Sequence, residues 1–364
     1  MLRRLFALIR KELQIVLSNP KSRGLLIMPV VLQVLLFPFA ATMEVKHATL
    51  AVYNQDAGAA SIELIQRLGR TAAFDTIKVV HSGPELREAM ESQEALLAIA
   101  IPSDFSRRLL ARESAPLQTI LDGRRSNSSQ IASAYVTQVI SGYARERGAE
   151  AASALDVRNS YNPNLFSFWH VLPSLVAIIT TIGCLFVTAL SVAREREEGT
   201  FDQLLVSPLT PVYIMIGKAV PGILIALVQG LFIAGAAAWG YRVPFTGSPL
   251  VLVVGLLCYG MALAGIGLFI SSICMTQQQA FFGVFTFMSP AILLSGYVGP
   301  IENMPLLLRG LAWINPLTHT ILIMKGVFLK GFGFAQAWPY LWPLLAVALC
   351  TLSAALTMFR RHIA

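Results

Sequence analysis

The chain has 364 residues, 55% of them hydrophobic and only 13% charged, with a mean hydropathy of +0.64. Soluble domains carry about 25% charged residues, so the composition excludes an ordinary soluble protein, and the missing charge is concentrated in a few long apolar blocks. The formal charge of +8 does not point to nucleic acid: Arg3, Arg4, Arg10, Lys11, Lys21 and Arg23 precede the first apolar block, and Arg360 and Arg361 follow the last. Anionic headgroups and the positive-inside bias produce that juxtamembrane placement.

Residues 1–23 read as a basic amphipathic helix lying in the cytoplasmic interface. Leu2, Leu5, Phe6, Ile9 and Leu13 share one helical face, while Arg3, Arg10 and Lys11 lie largely off it. Asn19-Pro20 marks a break before the first membrane helix, residues 24–43, whose 20 or so apolar residues cross a hydrocarbon core of about 30 Å. Glu44-Val45-Lys46 follows it instead of a small-residue cleavage site, so it reads as an uncleaved span.

From 44 to 165 the composition becomes that of a soluble protein, and strand and helix patterns alternate. Strands are expected at 49–53, 77–80, 96–101 and 117–121, and helices at 61–68, at 84–91 with Ser82 as cap, and from about 126 to 154. This is a small inserted α/β domain. It offers no catalytic constellation: His47 and His81 are its only histidines, and Asp56, Asp75, Asp104 and Asp122 stand at strand ends or turns, where Asp commonly caps. Cys184, Cys258, Cys274 and Cys350 all lie in or beside apolar blocks with no CxxC and no Cys/His spacing for a metal.

Residues 166–364 hold five more apolar blocks, at about 168–192, 220–240, 250–273, 280–298 and 338–359. A further stretch, about 305–330, is broken by Asn315-Pro316 and carries Arg309, His319 and Lys325, which favours a re-entrant hairpin over a full span. The expected architecture is an α-helical polytopic membrane protein with six transmembrane helices, a re-entrant hairpin and an inserted α/β extracytoplasmic domain. An even number of spans with both ends basic puts both termini in the cytoplasm. Trp169, Trp239, Trp313, Trp338 and Trp342 fall near block ends or in the hairpin, as in an interfacial aromatic belt.

Polar groups inside spans are few. Gln33 and Gln229 are candidate pathway residues, and the glycine face Gly255, Gly260, Gly265 and Gly267 serves either a pathway or close helix packing. The densest charge lies after the second span, at about 194–208: Arg194, Glu195, Arg196, Glu197, Glu198, Gly199, Thr200, Phe201, Asp202, Gln203, Leu204, Leu205, then Val206-Ser207-Pro208. Gly199 and Thr200 restart a short amphipathic helix with Phe201, Leu204 and Leu205 on one side. On the residues alone this is either a docking surface on the membrane face or a solvated charge run at a helix end.

That run resembles the coupling segment of type-2 ABC-transporter permeases, in the drug-exporter-like branch with a large external domain between the first two spans. The basic interfacial helix, the stretch from Ser295 to Pro305, Trp313-Ile314-Asn315-Pro316-Leu317-Thr318 and Gly326–Gly331 are similar to further parts of that family. The resemblance implies that Arg194, Glu195, Arg196, Glu197, Glu198, Gly199, Thr200, Phe201, Gln203, Leu204 and Leu205 couple the chain to a cytoplasmic ABC ATPase subunit. It also implies a second permease copy or paralogue, a bacterial inner-membrane location, membrane lipids as neighbours and a periplasmic adaptor protein as a candidate partner.

No phosphate-binding loop is present, because Gly217-Lys218 is followed by Ala219 and lacks the upstream glycine. The chain is therefore expected to be a transport subunit with no catalytic, metal or cofactor site of its own, with ATP and magnesium held by the partner. The expected activity is ATP-driven export of an amphipathic small molecule or lipid-like cargo. Two alternatives stand beside it: a membrane-anchored receptor or scaffold acting through the external domain, and an ATP-independent transporter. Against the second, no carboxylate or histidine lies in mid-span.

Overall fold

The computed structural model describes residues 2–40, 48–71, 73–92, 94–122, 126–147, 167–201, 203 and 209–361. The chain divides into two compact units, one of residues 1–41 with 168–364 and one of residues 42–167.

In the first unit α1 (Leu2–Ser18) and α2 (Pro20–Ala40) meet at a 69° bend. One edge of α1 packs on the rest of the unit. Leu8, Glu12 and Val16, spaced by four, are buried, whereas Phe6 is 68% exposed. The reason is local: Leu8 seats where Gly217 has no side chain, and Glu12 finds cationic partners. Phe6 and Leu17 are left facing outward, as apolar groups directed at lipid would be.

Among the described residues four helices are long and apolar enough to cross a membrane: Val171–Glu197, Pro211–Gly240, Pro249–Ile273 and Phe334–Arg360. Two bent pairs, α1 with α2 and a hairpin further on, raise the number to six if each counts as one span. The block expected at 280–298 is instead a helix of 17 residues, Gln277–Leu293. It covers about 26 Å at 1.5 Å per residue, short of a full core. It stops because Gly296 takes φ +77° and Ser295 Oγ accepts the N–H of Tyr297, turning the chain.

In the fold, α7 (Ser167–Glu197) is enclosed by its neighbours, with nearly every residue from Val171 to Ala193 buried. Beside it stand α8 (Pro211–Gly235), ending in a π-helical turn at Ala236–Gly240, and α9 (Pro249–Ile273). Then follow α10 (Gln277–Leu293), the short α11 (Leu306–Ile314), α12 (Pro316–Leu329) and α13 (Phe334–Arg361). The glycine face of α9 serves packing. A Cβ on Gly267 would overlap Thr188, one on Gly265 would overlap Thr351, and Gly260 and Gly255 abut Ile223 and Ile323. Small residues let membrane helices approach closely. The hairpin bends by 73° between α11 and α12, where Asn315 donates to the Ala291 carbonyl and accepts the N–H of Leu317.

The second unit is built on a sheet of order β2-β1-β3-β4, from β1 (Ala48–Asn54), β2 (Phe74–Val80), β3 (Leu97–Ile101) and β4 (Gln118–Leu121). The first three strands are parallel and β4 is antiparallel to β3. Alternation decides the faces. Leu50, Val52, Leu97, Ile99 and Ile101 meet α3 (Ala59–Gly69) and α6 (Ser126–Glu146), while the small Ala51 and Ala98 leave room for α4 (Gly83–Glu91). Ser82 caps α4 by accepting the N–H of Glu85, and Glu85 accepts that of His81. A short helix, α5 (Phe105–Leu110), was not expected; Asp104 precedes it but bonds Arg108 rather than the helix backbone. The part of the last expected helix beyond residue 147 lies outside the described residues.

Candidate functional site

The charged run at the end of α7 divides into an inward and an outward set. The helix stops in a defined turn. Gly199 has φ +70°, its N–H bonds the Arg196 carbonyl, and the N–H of Thr200 reaches back to the Glu195 carbonyl at 2.9 Å. That pair of bonds satisfies carbonyls the helix would otherwise leave open, and the left-handed residue it needs is glycine.

Arg194, Glu195, Arg196 and Phe201 point inward. Phe201 is buried edge-on against Phe359 of α13, and the Arg196 guanidinium lies 4.9 Å over its ring. Arg196 also donates to the carbonyls of Ser272 and Cys274, at 2.9 and 3.3 Å, where α9 ends. A cation at that end offsets the negative pole of the helix. The neighbouring Glu197 does the converse, its carboxylate accepting the Gln277 N–H at the start of α10. Two adjacent side chains of opposite charge thus grip both sides of the α9–α10 turn.

Behind them lies a buried charge network that sequence reasoning did not assemble. Lys218, near the start of α8, is 1% exposed. Its ammonium lies 3.0 Å from Glu12 of α1 and 2.7 Å from Glu195 of α7, and it donates to Ser191 Oγ at 3.1 Å. Arg194 approaches Glu12 at 3.5 Å, and Lys11 reaches Glu195 at 3.4 Å from the more exposed side. Three cations therefore face two carboxylates. Leaving one such charge without its partner costs about 3–5 kcal/mol. Two signals were available: an isolated lysine between Gly217 and Ala219 in an apolar block, and one acid on the otherwise basic α1.

Glu198, Gly199 and Gln203 are exposed and Thr200 is half-buried; Glu197 is exposed as a residue although its carboxylate is engaged. Leu204 and Leu205 lie outside the described residues. Of the two glutamines of the spans, Gln229 anchors one helix to another. Gln229 of α8 donates to the Leu26 carbonyl of α2 at 2.9 Å and lies against Gly183 of α7. Gln33 stands two turns further along α2 from Leu26, its buried Oε1 without a hydrogen bond among the described residues. Among the described residues no group of His, Cys, Asp and Glu is placed to hold a metal.

Comparison with known proteins identifies the family of the chain. The family model described as ABC-2 family transporter protein matches residues 24–357. "Probable multidrug ABC transporter permease YbhR" of Escherichia coli (strain K12) is 52% identical, covering 100% of both chains. "Inner membrane transport permease YhhJ" of the same organism is 27% identical over 100% of this chain and 98% of its own. "Probable multidrug ABC transporter permease YbhS" is 26% identical over 90% of this chain and 89% of its own. A match over nearly the full length and end-to-end identity above one half have one meaning: the chain belongs to the ABC-2 family of transporter proteins, as a permease subunit of an ABC transporter.

Proposed function

We propose that this permease is the membrane half of an exporter, driven by a separate ATPase that docks on the outward side of the turn after α7. The observation that carries this reading is the division of the charged run. Its inward members are consumed in fixing the turn to α1, α8, α9 and α13, while Glu198, Gly199 and Gln203 are held out to solvent. A surface charge run with no role would not need so many buried anchors behind it. The ATPase binds ATP and magnesium, and a second copy or paralogue of the permease completes the transport path. That one relative is named a probable multidrug permease and another an inner membrane permease supports an amphipathic cargo and a bacterial inner-membrane location. The basic ends at Arg3, Arg4, Arg360 and Arg361 put both termini in the cytoplasm, and residues 44–165 then face outward.

The test is co-purification of the full chain with its ATPase through a tag on one partner. Glu198→Lys combined with Gln203→Lys should reduce the captured ATPase at least tenfold while the permease still inserts. Capture unchanged by the double substitution moves the dock elsewhere. Failure of any ATPase to co-purify with the wild type overturns the docking reading.

A further inference from the structure

Lys218 and Glu12 are separated by 206 positions, yet they form the most enclosed ion pair of the membrane unit among the described residues. Buried ion pairs add little stability over well-packed apolar groups of the same size, and charged groups within membrane segments tend to be tied to function. Apolar contacts also join α1 to its neighbours: Leu8 fits against Gly217, and Val16 packs with Leu26, Val187 and Ile225. What the charges add is a directional tie. One ammonium joins a carboxylate of α1 to a carboxylate of α7, and Glu195 lies one helical turn before Gly199, the residue that ends α7.

We propose that Glu12 and Lys218 are positioning residues for the coupling turn, clamping α1, the foot of α7 and the foot of α8 into one moving piece. A load on the turn is then delivered to three elements together. The interfacial helix becomes part of the stroke and not merely an anchor in the headgroup layer. This rests on the reading that the turn receives the ATPase, but the clamp itself is testable in the permease alone.

The experiment places spin labels at Phe6→Cys on α1 and Val212→Cys on α8, both exposed, in the full chain in lipid with Cys274 and Cys350 replaced by serine. The distance distribution is read in three backgrounds: wild type, Lys218→Arg, and the neutral triple Glu12→Gln, Glu195→Gln, Lys218→Met. The triple removes the three charges together, so no lone buried charge among them confounds folding. A narrow distribution is expected in wild type and Lys218→Arg, and one at least twice as wide in the triple. A triple as narrow as wild type overturns the proposal, because packing alone would then hold α1. Should the triple fail to insert, Glu12→Gln, which leaves Lys218 its partner Glu195, carries the same expectation and the same refutation.

With the ATPase bound and a non-hydrolysable ATP analogue added, the wild-type distance should stay fixed while that of the triple shifts. A purely structural role would not make the distance nucleotide-dependent in the triple. A wild-type distance that changes with nucleotide also overturns the clamp. An ATPase that never binds removes the coupling reading, and the lipid measurement without it still decides the clamp.

Discussion

The Glu197 carboxylate accepts the backbone N–H of Gln277 at 2.8 Å, across 80 positions of sequence. The first N–H groups of a helix lack internal partners, and an anion there gains about 0.3–1 kcal/mol from the helix dipole. Glu197→Gln keeps an acceptor oxygen and loses only the charge, so it should lower stability by less than about 1 kcal/mol. Glu197→Ala should lower it further. Thermal midpoints of the purified chain in detergent check the order, and an alanine variant as stable as wild type would remove the helix-start role.

Gly199 should be sensitive for conformation alone. No atom lies within 4 Å of where its Cβ would be, so any penalty comes from φ +70°. Gly199→Ala is expected to cost about 1–2 kcal/mol, and Gly199→Asn less, because asparagine visits that region more readily. The rate of proteolytic cleavage in the turn should follow the order Ala above Asn above wild type. Equal rates for all three would mean the turn tolerates another conformation.

Gly183 and Gln229 should behave as a coupled pair. A Cβ on Gly183 would overlap the Gln229 side chain, and overpacking of this kind costs about 1–3 kcal/mol. Gly183→Ala is expected to destabilise, and adding Gln229→Ala should recover part of that loss, giving a non-additive cycle. Strict additivity in thermal midpoints would show that the glutamine moves aside freely.

The second unit should weaken in acid. At Asp56, burial works to raise the carboxyl, but hydrogen bonds from Ser106, Ser61 and the Gly58 N–H outweigh it and hold the group below 3.8. Glu63, chiefly through Arg67, and Glu85, chiefly through the His81 N–H, are lowered as well. A carboxyl whose folded value is depressed contributes its stability in full above the unfolded value, and loses it as pH falls through the folded one. Hydrogen-exchange protection across α3 and α5 in the full chain should therefore be constant above about pH 5 and fall below about pH 4. Ser106→Ala should shift that fall toward higher pH. Protection that stays constant to pH 3 would contradict the hydrogen-bond account.

The strands were legible where one face had to be buried: Leu50 and Val52 alternate with Ala51 and Tyr53 in β1, and the reading at 49–53 lies within Ala48–Asn54. Ser82 was legible as a cap because the side chain, the proline and Glu85 lie within four residues of one another. Long-range partnerships were not. Nothing local to Glu12 announces a lysine 206 positions away. On α1 an amphipathic pattern tells apolar from polar, not lipid from protein, and Phe6 and Leu8 look alike to it. The length of α10 was overestimated because the apolar run continues past Leu293, and only the backbone at Gly296 ends it.

The enclosure of α7 makes it the axle of the membrane unit. Its sides bear on the chain's own helices, so a substitution there must fit a cavity of fixed shape, and its hydroxyls at Thr180, Thr181 and Thr188 are already turned back onto their own helix carbonyls. Helix α13, by contrast, presents Trp338, Trp342, Leu345 and Leu349 outward, away from the chain's own core. Sequence change in such a molecule is free on the rim and constrained at the hub, and the hub ends in the turn where a driving partner would take hold.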